Sequence, residues 1–320
     1  MWRCALGKKY DGLEESKKKF GESSKRAFEL FGEFCISDFF PCLGWMDVMT
    51  GLVKRLRETA EGLDAFLDQV IEEYRNMQAS EDQLKRKCFV AAVLQHEKEG
   101  SLETHLTQDN LKAVILDMFL GGTDTISTTL EWAMMRLMQN PTKMSKAQEE
   151  VRRVTGKKPK VEEEDILQLN YLKCIIKETL RLHAPAPLLA PRELTQSTKL
   201  QGYDIPSKTR VFINVFAIHR DPNLWDSPEE FIPERFLNNQ VDFKGQDFQF
   251  IPFGAGRRGC PGIAFGVVEA EYLLANLLYW FDWKLPSGTC MEDLDMTENS
   301  GLVLHKKVPL QLVPEFYCPP

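Results

Sequence analysis

The chain has 320 residues, 43% hydrophobic and 27% charged, which are globular proportions and exclude a disordered, collagenous or simple coiled-coil chain. Lysine plus arginine is 40 and aspartate plus glutamate is 47, and the net charge of -7 argues against a dedicated nucleic-acid binder. No run reaches the ~18 apolar residues of a membrane-spanning helix. The opening Met1-Trp2-Arg3-Cys4, followed by Lys8 and Lys9, lacks the apolar centre of a signal peptide, so the chain as written reads as soluble or peripheral.

In chain order, the first elements are helical. Leu52, Leu56, Ala60, Leu63, Leu67, Val70 and Tyr74 recur at three- and four-residue steps, one face of a helix. The apolar stretch Phe39-Phe40-Pro41-Cys42-Leu43-Gly44-Trp45 before it reads as a loop or short turn, either packed inside or set against a membrane surface. The runs Lys17-Lys18-Lys19 and Glu162-Glu163-Glu164-Asp165 read as solvated faces. A long helix begins after Thr107, a good N-cap, and ends at Asn140-Pro141. A further helix carries Leu172, Ile175, Ile176 and Leu180 and stops near His183. Short strand candidates follow at Leu188–Ala190, Thr198–Leu200 and Arg210–Asn214. A helix then runs from about Ile263 to Trp280, and the tail from Gly301 to Val313 alternates like a final hairpin. The fold class expected is mainly α with small antiparallel β-sheets late in the chain.

Within the long helix, Gly121-Gly122-Thr123-Asp124-Thr125 is a run of poor helix formers. Interior glycine costs about 1 kcal/mol relative to alanine, and Asp and Thr compete for backbone hydrogen bonds. Either two helices cross there over small residues, or a groove opens over a bound group, with Asp124 and Thr125 handling protons.

The 8 cysteines (Cys4, Cys35, Cys42, Cys88, Cys174, Cys260, Cys290 and Cys318) form no CxxC pair, and the 5 histidines show no HxxxH spacing. Without a secretory signal the thiols should be reduced, and most should act as small buried hydrophobes. Cys260 is different. It follows Phe253-Gly254-Ala255-Gly256-Arg257-Arg258-Gly259 and precedes Pro261, Gly262 and a helix. Gly254, Gly256 and Gly259 also match the GxGxxG dinucleotide fingerprint, with strand-like Phe248–Phe250 ahead of them. But Pro252 interrupts that strand, and the helix leads to Pro286 and Gly288 rather than to a buried parallel strand, so the βαβ unit the fingerprint needs is missing. A helix N-terminus and nearby cations favour a thiolate over a thiol. With no second Cys or His close by, that thiolate suits a single axial bond to a haem iron better than zinc or an iron–sulfur cluster. A cysteine nucleophile is the remaining rival, without an evident partner base. Glu178 and Arg181, three apart on one helix face, and Arg235 in Pro233-Glu234-Arg235-Phe236 complete the constellation.

Together these motifs resemble cytochrome P-450 monooxygenases. Phe253-x-x-Gly256-x-Arg258-x-Cys260-x-Gly262 is similar to the family's haem signature, Glu178-x-x-Arg181 and Arg235 to its structural charge network, and Gly121–Thr125 to its oxygen-activation stretch. The wording around them, Lys177-Glu178-Thr179-Leu180-Arg181-Leu182-His183 and Phe250-Ile251-Pro252-Phe253, resembles the plant microsomal group that modifies terpenoids, phenolics and alkaloids. The resemblance implies haem b held by the Cys260 thiolate, whose electron donation favours O–O cleavage. Phe253 would pack beside the sulfur within the loop of Gly254, Gly256 and Gly262. Arg258 and Arg192 would hold haem propionates, and Asp124 and Thr125 would supply protons. It further implies O2 as co-substrate, electrons from NADPH through a cytochrome reductase, cytochrome b5 as a possible second donor, and a monomer on the cytosolic face of the endoplasmic reticulum. Arg257 and Lys244 would lie on the basic face that meets an acidic reductase. The apolar substrate pocket would draw on Leu116–Leu120, Ala186–Leu189 and Asn299–Leu302.

Departures are mild in the helix motif, where Gly121 replaces the commoner alanine and Ile126 a hydroxyl residue, and large in length. The family's membrane anchor, proline hinge, first helices and first strands have no counterpart, so one domain over 1–320 lacking its N-terminal third is expected. In it, 1–106 would supply middle helices, 107–140 the central helix, and 141–320 the ExxR helix, small sheets, cysteine loop and last helix. The rival readings are a catalytically dead fragment that cannot hold haem and a haem-thiolate isomerase or dehydratase.

Overall fold

The computed structural model describes residues 2–7, 14–77, 88–100, 106–299 and 301–317. Lys8, Lys9, Ser300 and Cys318 lie outside them. In chain order the described helices are α1 (Trp2–Leu6), α2 (Glu14–Phe31), α3 (Ile36–Phe39), α4 (Trp45–Met49), α5 (Leu52–Met77), α6 (Phe89–Glu99), α7 (Gln108–Gln139), α8 (Pro141–Thr155), α9 (Glu163–Ile166), α10 (Asn170–Leu182), α11 (Val215–Ile218) and α12 (Ile263–Trp280). The strands are β1 (Arg192–Glu193), β2 (Thr198–Leu200), β3 (Tyr203–Ile205), β4 (Arg210–Val211), β5 (Phe281–Lys284) and β6 (Val313–Phe316). The fold is mainly helical, with three two-stranded antiparallel sheets among the described residues, β1–β4, β2–β3 and β5–β6. The chain divides into two compact units, Met1–Asp124 and Thr125–Pro320.

The first unit is built on α2 and α5. Leu63, Leu67, Val70, Ile71 and Tyr74 bury one face of α5, as its spacing predicts. Leu56 and Ala60 prove exposed, and Phe66 joins the face instead, stacked near Phe20 at 4.3 Å. Phe119 packs on Phe20 at 5.2 Å and closes this core with Leu111 and Ile115. The apolar stretch before α5 is not packed inside: Phe39, Phe40, Leu43, Trp45, Val48 and Met49 are all exposed. The backbone beneath them is pinned by buried Asp47, whose carboxylate accepts from the N–H groups of Ile36 at 2.9 Å and Ser37 at 2.8 Å.

The Ser37 amide, ahead of the other donors, holds the Asp47 carboxyl below the usual carboxylate range. A carboxylate depressed in this way contributes stability above its unfolded pKa and loses it as pH falls through the folded value. Acidification below the ordinary carboxylate range is therefore expected to loosen 36–49, as is Asp47→Asn at neutral pH. Limited proteolysis within 36–44 reports it, and equal cleavage rates in parent and Asp47→Asn would contradict the role given to this carboxylate.

The second unit holds the larger core. Met134, Leu137 and Met138 of α7 belong to the same buried cluster as Ala147 and Val151 of α8, Leu172, Ile175, Ile176 and Leu180 of α10, and Leu274, Ala275 and Leu278 of α12. Ile263–Trp280 is long and apolar enough to cross a membrane by length and composition alone, and 39% of it is buried inside the protein. Thr107 caps α7, its hydroxyl accepting from Asn110 N–H at 3.2 Å, and Pro141 starts α8 at its first turn, where no N–H is needed. α7 stays α-helical through Gly121–Thr125.

Several expectations need correction. Leu188–Ala190 is a turn, because Leu189 takes φ +52, outside any strand. Arg210–Asn214 is a strand only over Arg210–Val211, and Phe248–Phe250 is irregular. The tail does not form its own hairpin: β6 pairs with β5, placing Phe281 opposite Phe316, and an isolated bridge joins Glu298 to Lys306. Asp165 is not on a solvated face; it is buried, caps α9 and bonds Lys158 at 2.7 Å. Of the described cysteines, Cys88 and Cys174 are buried, whereas Cys4, Cys42, Cys260 and Cys290 are exposed, so burial is not their general state; all are free thiols.

Candidate functional site

The cysteine loop starts from a buried base. Ile251 packs with Ala184, Leu189 and Val215, and its carbonyl accepts from Gly254 N–H at 2.9 Å. Gly254 (φ +73) and Gly256 (φ +72) turn the chain in the left-handed region, which only glycine enters without strain. The loop closes when Cys260 N–H donates to the Phe253 carbonyl at 2.9 Å. Cys260 is exposed, two residues before the Gly262 cap of the 18-residue α12, and a Cβ on Gly262 would stand 3.7 Å from its Sγ. The sulfur thus sits on a rigid loop at the positive end of a helix dipole.

Four other predicted residues lie in or beside this loop. Arg192 on β1 donates from Nη2 to the Arg258 carbonyl at 2.7 Å, which ties the two arginines together. Arg257 and Arg258 are exposed. Phe253 packs edge-on against Phe243 at 5.7 Å. Among the described residues no three His, Cys, Asp or Glu side chains gather to hold a metal ion, which disfavours zinc and iron–sulfur sites that need several protein ligands. A metal that brings four in-plane donors of its own needs one protein ligand. An accessible Cys260 thiol, with paired arginines available for carboxylates, fits haem.

The predicted charge network is assembled as expected. Glu178 and Arg181 are fully buried at 0% exposure and meet in a bidentate pair, Nε to Oε2 and Nη2 to Oε1, both at 2.8 Å. Arg235 reaches Glu178 Oε1 at 3.1 Å, and the Ile232 N–H donates to the same oxygen at 2.8 Å. The remaining Arg181 donors go to carbonyls of His219 (2.7 Å), Pro228 (2.7 Å) and Glu230 (3.0 Å), so all five of its N–H groups are used. Arg235 bonds the Asp226 and Ser227 carbonyls at 2.8 and 3.2 Å. Trp225 lies under both guanidiniums, at 5.2 Å from Arg181 and 5.9 Å from Arg235. The network therefore staples the loop 219–235 onto α10.

Asp124 and Thr125 are consecutive on α7, half-buried, at the division between the two units. The Thr125 carbonyl accepts from the Thr129 hydroxyl at 2.9 Å. Next to two of the predicted pocket segments, Ala186–Leu189 and Asn299–Leu302, Leu304 N–H donates to the Pro185 carbonyl at 2.9 Å.

Sequence reasoning missed how that tail is anchored. Thr128 Oγ1 lies 2.8 Å from His305 Nδ1, and Trp132 Nε1 donates to the Leu304 carbonyl at 3.2 Å. The Trp132 indole stacks flat on His183 at 4.0 Å, and Arg136 Nε donates to His183 Nε2 at 2.9 Å. Burial pushes His183 down to about 4, so it accepts that bond as a neutral ring. The only sequence signal was the four-residue spacing of Thr128, Trp132 and Arg136 on one helix face.

An exposed cysteine on a glycine-turned loop and a Glu178–Arg181–Arg235 charge network fit a haem-thiolate protein. The cytochrome P-450 family model matches residues 1–313, and the chain belongs to that family. It is 58% identical to cytochrome P-450 71A1 of Persea americana over 314 residues, 97% of this chain and 62% of that protein. Phenylacetaldehyde oxime monooxygenase of Prunus mume is 52% identical over 319 residues, covering 99% of this chain and 60% of the relative. Desmethylyatein synthase of Sinopodophyllum hexandrum is 50% identical, with 98% and 62% covered. A zebra fish cytochrome P-450 solved with abiraterone superposes with a TM-score of 0.79 at 25% identity, covering 98% of this chain and 69% of that one. The chain spans about three fifths of the length of the curated relatives it matches.

Proposed function

We propose that this chain supplies the thiolate ligand and the proton-handling helix of a haem-dependent monooxygenase that inserts one atom of O2 into an apolar small molecule. The single observation carrying this reading is the accessible Cys260 on its rigid loop, with no competing ligand cluster among the described residues. Haem, once bound, supplies the dioxygen chemistry. Cys260 would hold the iron, Arg192 and Arg258 would pair with propionates, and Gly254, Gly256 and Gly262 would let the porphyrin approach the backbone. Thr125 and Asp124 would hold and pass protons. Plant metabolites named in the relatives, a phenylacetaldehyde oxime and strychnine among them, support a specialised-metabolite substrate of terpenoid, phenolic or alkaloid kind. NADPH-derived electrons would arrive through a cytochrome reductase, with cytochrome b5 as a second donor, at the exposed Arg257 and Lys244. The exposed Phe39, Phe40, Trp45 and Met49 support a seat on the cytosolic face of the endoplasmic reticulum membrane.

The test is the absorption spectrum of the reduced, CO-bound protein: a thiolate-haem band is expected, and stoichiometric haem without one rejects the reading. Thr125→Ala is expected to leave substrate binding nearly unchanged while diverting reducing equivalents to peroxide, because a general-acid contribution is worth about 10²–10⁴-fold. The ratio of product formed to NADPH consumed measures this, and an unchanged ratio removes Thr125 from the proton path.

A further inference from the structure

His219 stands outside every motif that led to the family, and it is completely buried. Its ring makes two bonds that together leave one protonation state. Ile251 N–H can only donate, so its 3.0 Å bond makes His219 Nε2 an acceptor without a proton. The Arg181 carbonyl can only accept, so Nδ1, 3.1 Å away, carries the proton. Arg181 closes the exchange by donating from Nη1 to the His219 carbonyl at 2.7 Å. Burial, ahead of the Arg181 and Arg220 charges, pushes the imidazole down to about 3, consistent with a neutral ring. Phe250 holds the ring from the side, centroids 5.4 Å apart.

These bonds lie in series between the charge network and the sulfur. Glu178 fixes Arg181, Arg181 and His219 fix each other, and His219 fixes the Ile251 amide. Ile251 in turn accepts from Gly254 N–H, and Phe253 accepts from Cys260 N–H. We propose that His219 is a positioning residue for the Cys260 sulfur: its ring, protonated at Nδ1, ties the C-terminal end of α10 to the first amide of the cysteine loop. The inference rests on the thiolate reading given above and extends it, since this imidazole links the Glu–Arg–Arg network to the loop that carries the ligand. A histidine that merely filled core volume would be replaceable by phenylalanine without effect on the loop. A strut would instead be replaced best by glutamine, whose Oε1 can take the Ile251 N–H.

Two measurements on the haem-free full chain test the strut directly. Nitrogen-15 spectra of histidine-labelled protein should show the His219 ring neutral and protonated at Nδ1; a ring protonated at Nε2, or at both nitrogens, overturns the proposal. Amide exchange at Ile251 should quicken about tenfold or more in His219→Phe, the effect of ~1.4 kcal/mol, and stay near the parent rate in His219→Gln. In the haem-loaded protein the reduced, CO-bound spectrum should drift from the thiolate to the thiol form in His219→Phe and hold in His219→Gln. Ile251 exchange unchanged by His219→Phe, or identical spectra in the two variants, overturns the proposal. If His219→Phe does not fold, the ring tautomer of the parent protein still decides. A parent protein with no thiolate spectrum at all would reject the haem-thiolate reading while leaving the tautomer and exchange results standing, so the two failures are distinguishable.

Discussion

Glu178→Ala is expected to cost about 3–5 kcal/mol, the loss typical when one partner is removed from a buried ion pair. The magnitude follows from what is left behind. Glu178 and Arg181 are at 0% exposure, and Arg235 shares the same carboxylate. Without it, Arg181 keeps its three carbonyl acceptors but has no counter-charge, and the Ile232 N–H loses its acceptor. Water cannot reach the site to compensate. Since a domain's whole stability is ~5–15 kcal/mol, this one change consumes a large part of it. Glu178→Gln keeps the shape and one acceptor, and should fall between parent and alanine variant. Lys146→Ala is the contrast: its pair with Glu234, 3.0 Å long and largely exposed, is worth ~0–1 kcal/mol. Urea midpoints of the three variants measure the series. A Glu178→Ala midpoint close to that of Lys146→Ala would show that the network does not hold this part of the fold together.

What the sequence made legible divides along physical lines. Elements whose signal is local were readable: α12 runs from Ile263 to Trp280 as its apolar run predicts, α10 ends before His183, and Thr107 and Asn140-Pro141 bracket α7. These depend on caps, periodicity and proline, all properties of neighbouring residues. The tail pairing was not readable, because β6 finds β5 across about thirty residues and nothing in Val313–Phe316 names its partner. Leu188–Ala190 has strand-like composition, but Leu189 is held at φ +52 by packing with Val215 and Ile251, a tertiary effect that overrides propensity.

The site divides the same way. Cys260, Glu178, Arg181 and Arg235 stand in recognisable spacings, and the structure assembles the last three in one charge network around the buried Glu178–Arg181 pair. His219 and the Trp132–His183–Arg136 stack do not, because a lone histidine in sequence is usually a satisfied core residue, and only the distances to Ile251, Arg181 and Trp132 give either ring a role. The cysteines show the converse. Composition treats them alike, whereas exposure sets Cys260, together with Cys4, Cys42 and Cys290, apart from buried Cys88 and Cys174.

That separation sets up the prediction with the largest spectroscopic effect. Cys260→Ser should abolish the thiolate-haem signature entirely while leaving folding nearly untouched. The stability half follows from geometry: the side chain is exposed, and the bond that closes the loop runs from the backbone N–H of residue 260 to the Phe253 carbonyl, which serine retains. Surface substitutions away from packed or bonded features stay within about 0.5 kcal/mol. The spectroscopic half follows from chemistry: a serine hydroxyl does not ionise near neutral pH, so no anionic sulfur remains to ligate iron. Cys174→Ser should do the reverse. It places a hydroxyl in the buried face of α10, among Ile175, Ile176 and Leu180, where an unpaired polar group costs about 1–3 kcal/mol, and it leaves the signature alone. The reduced, CO-bound spectrum and a thermal melt, recorded on both variants, separate ligand from core cysteine in one experiment. A thiolate band that survives Cys260→Ser would move the ligand elsewhere in the chain and undo the site built here from its glycine loop upward.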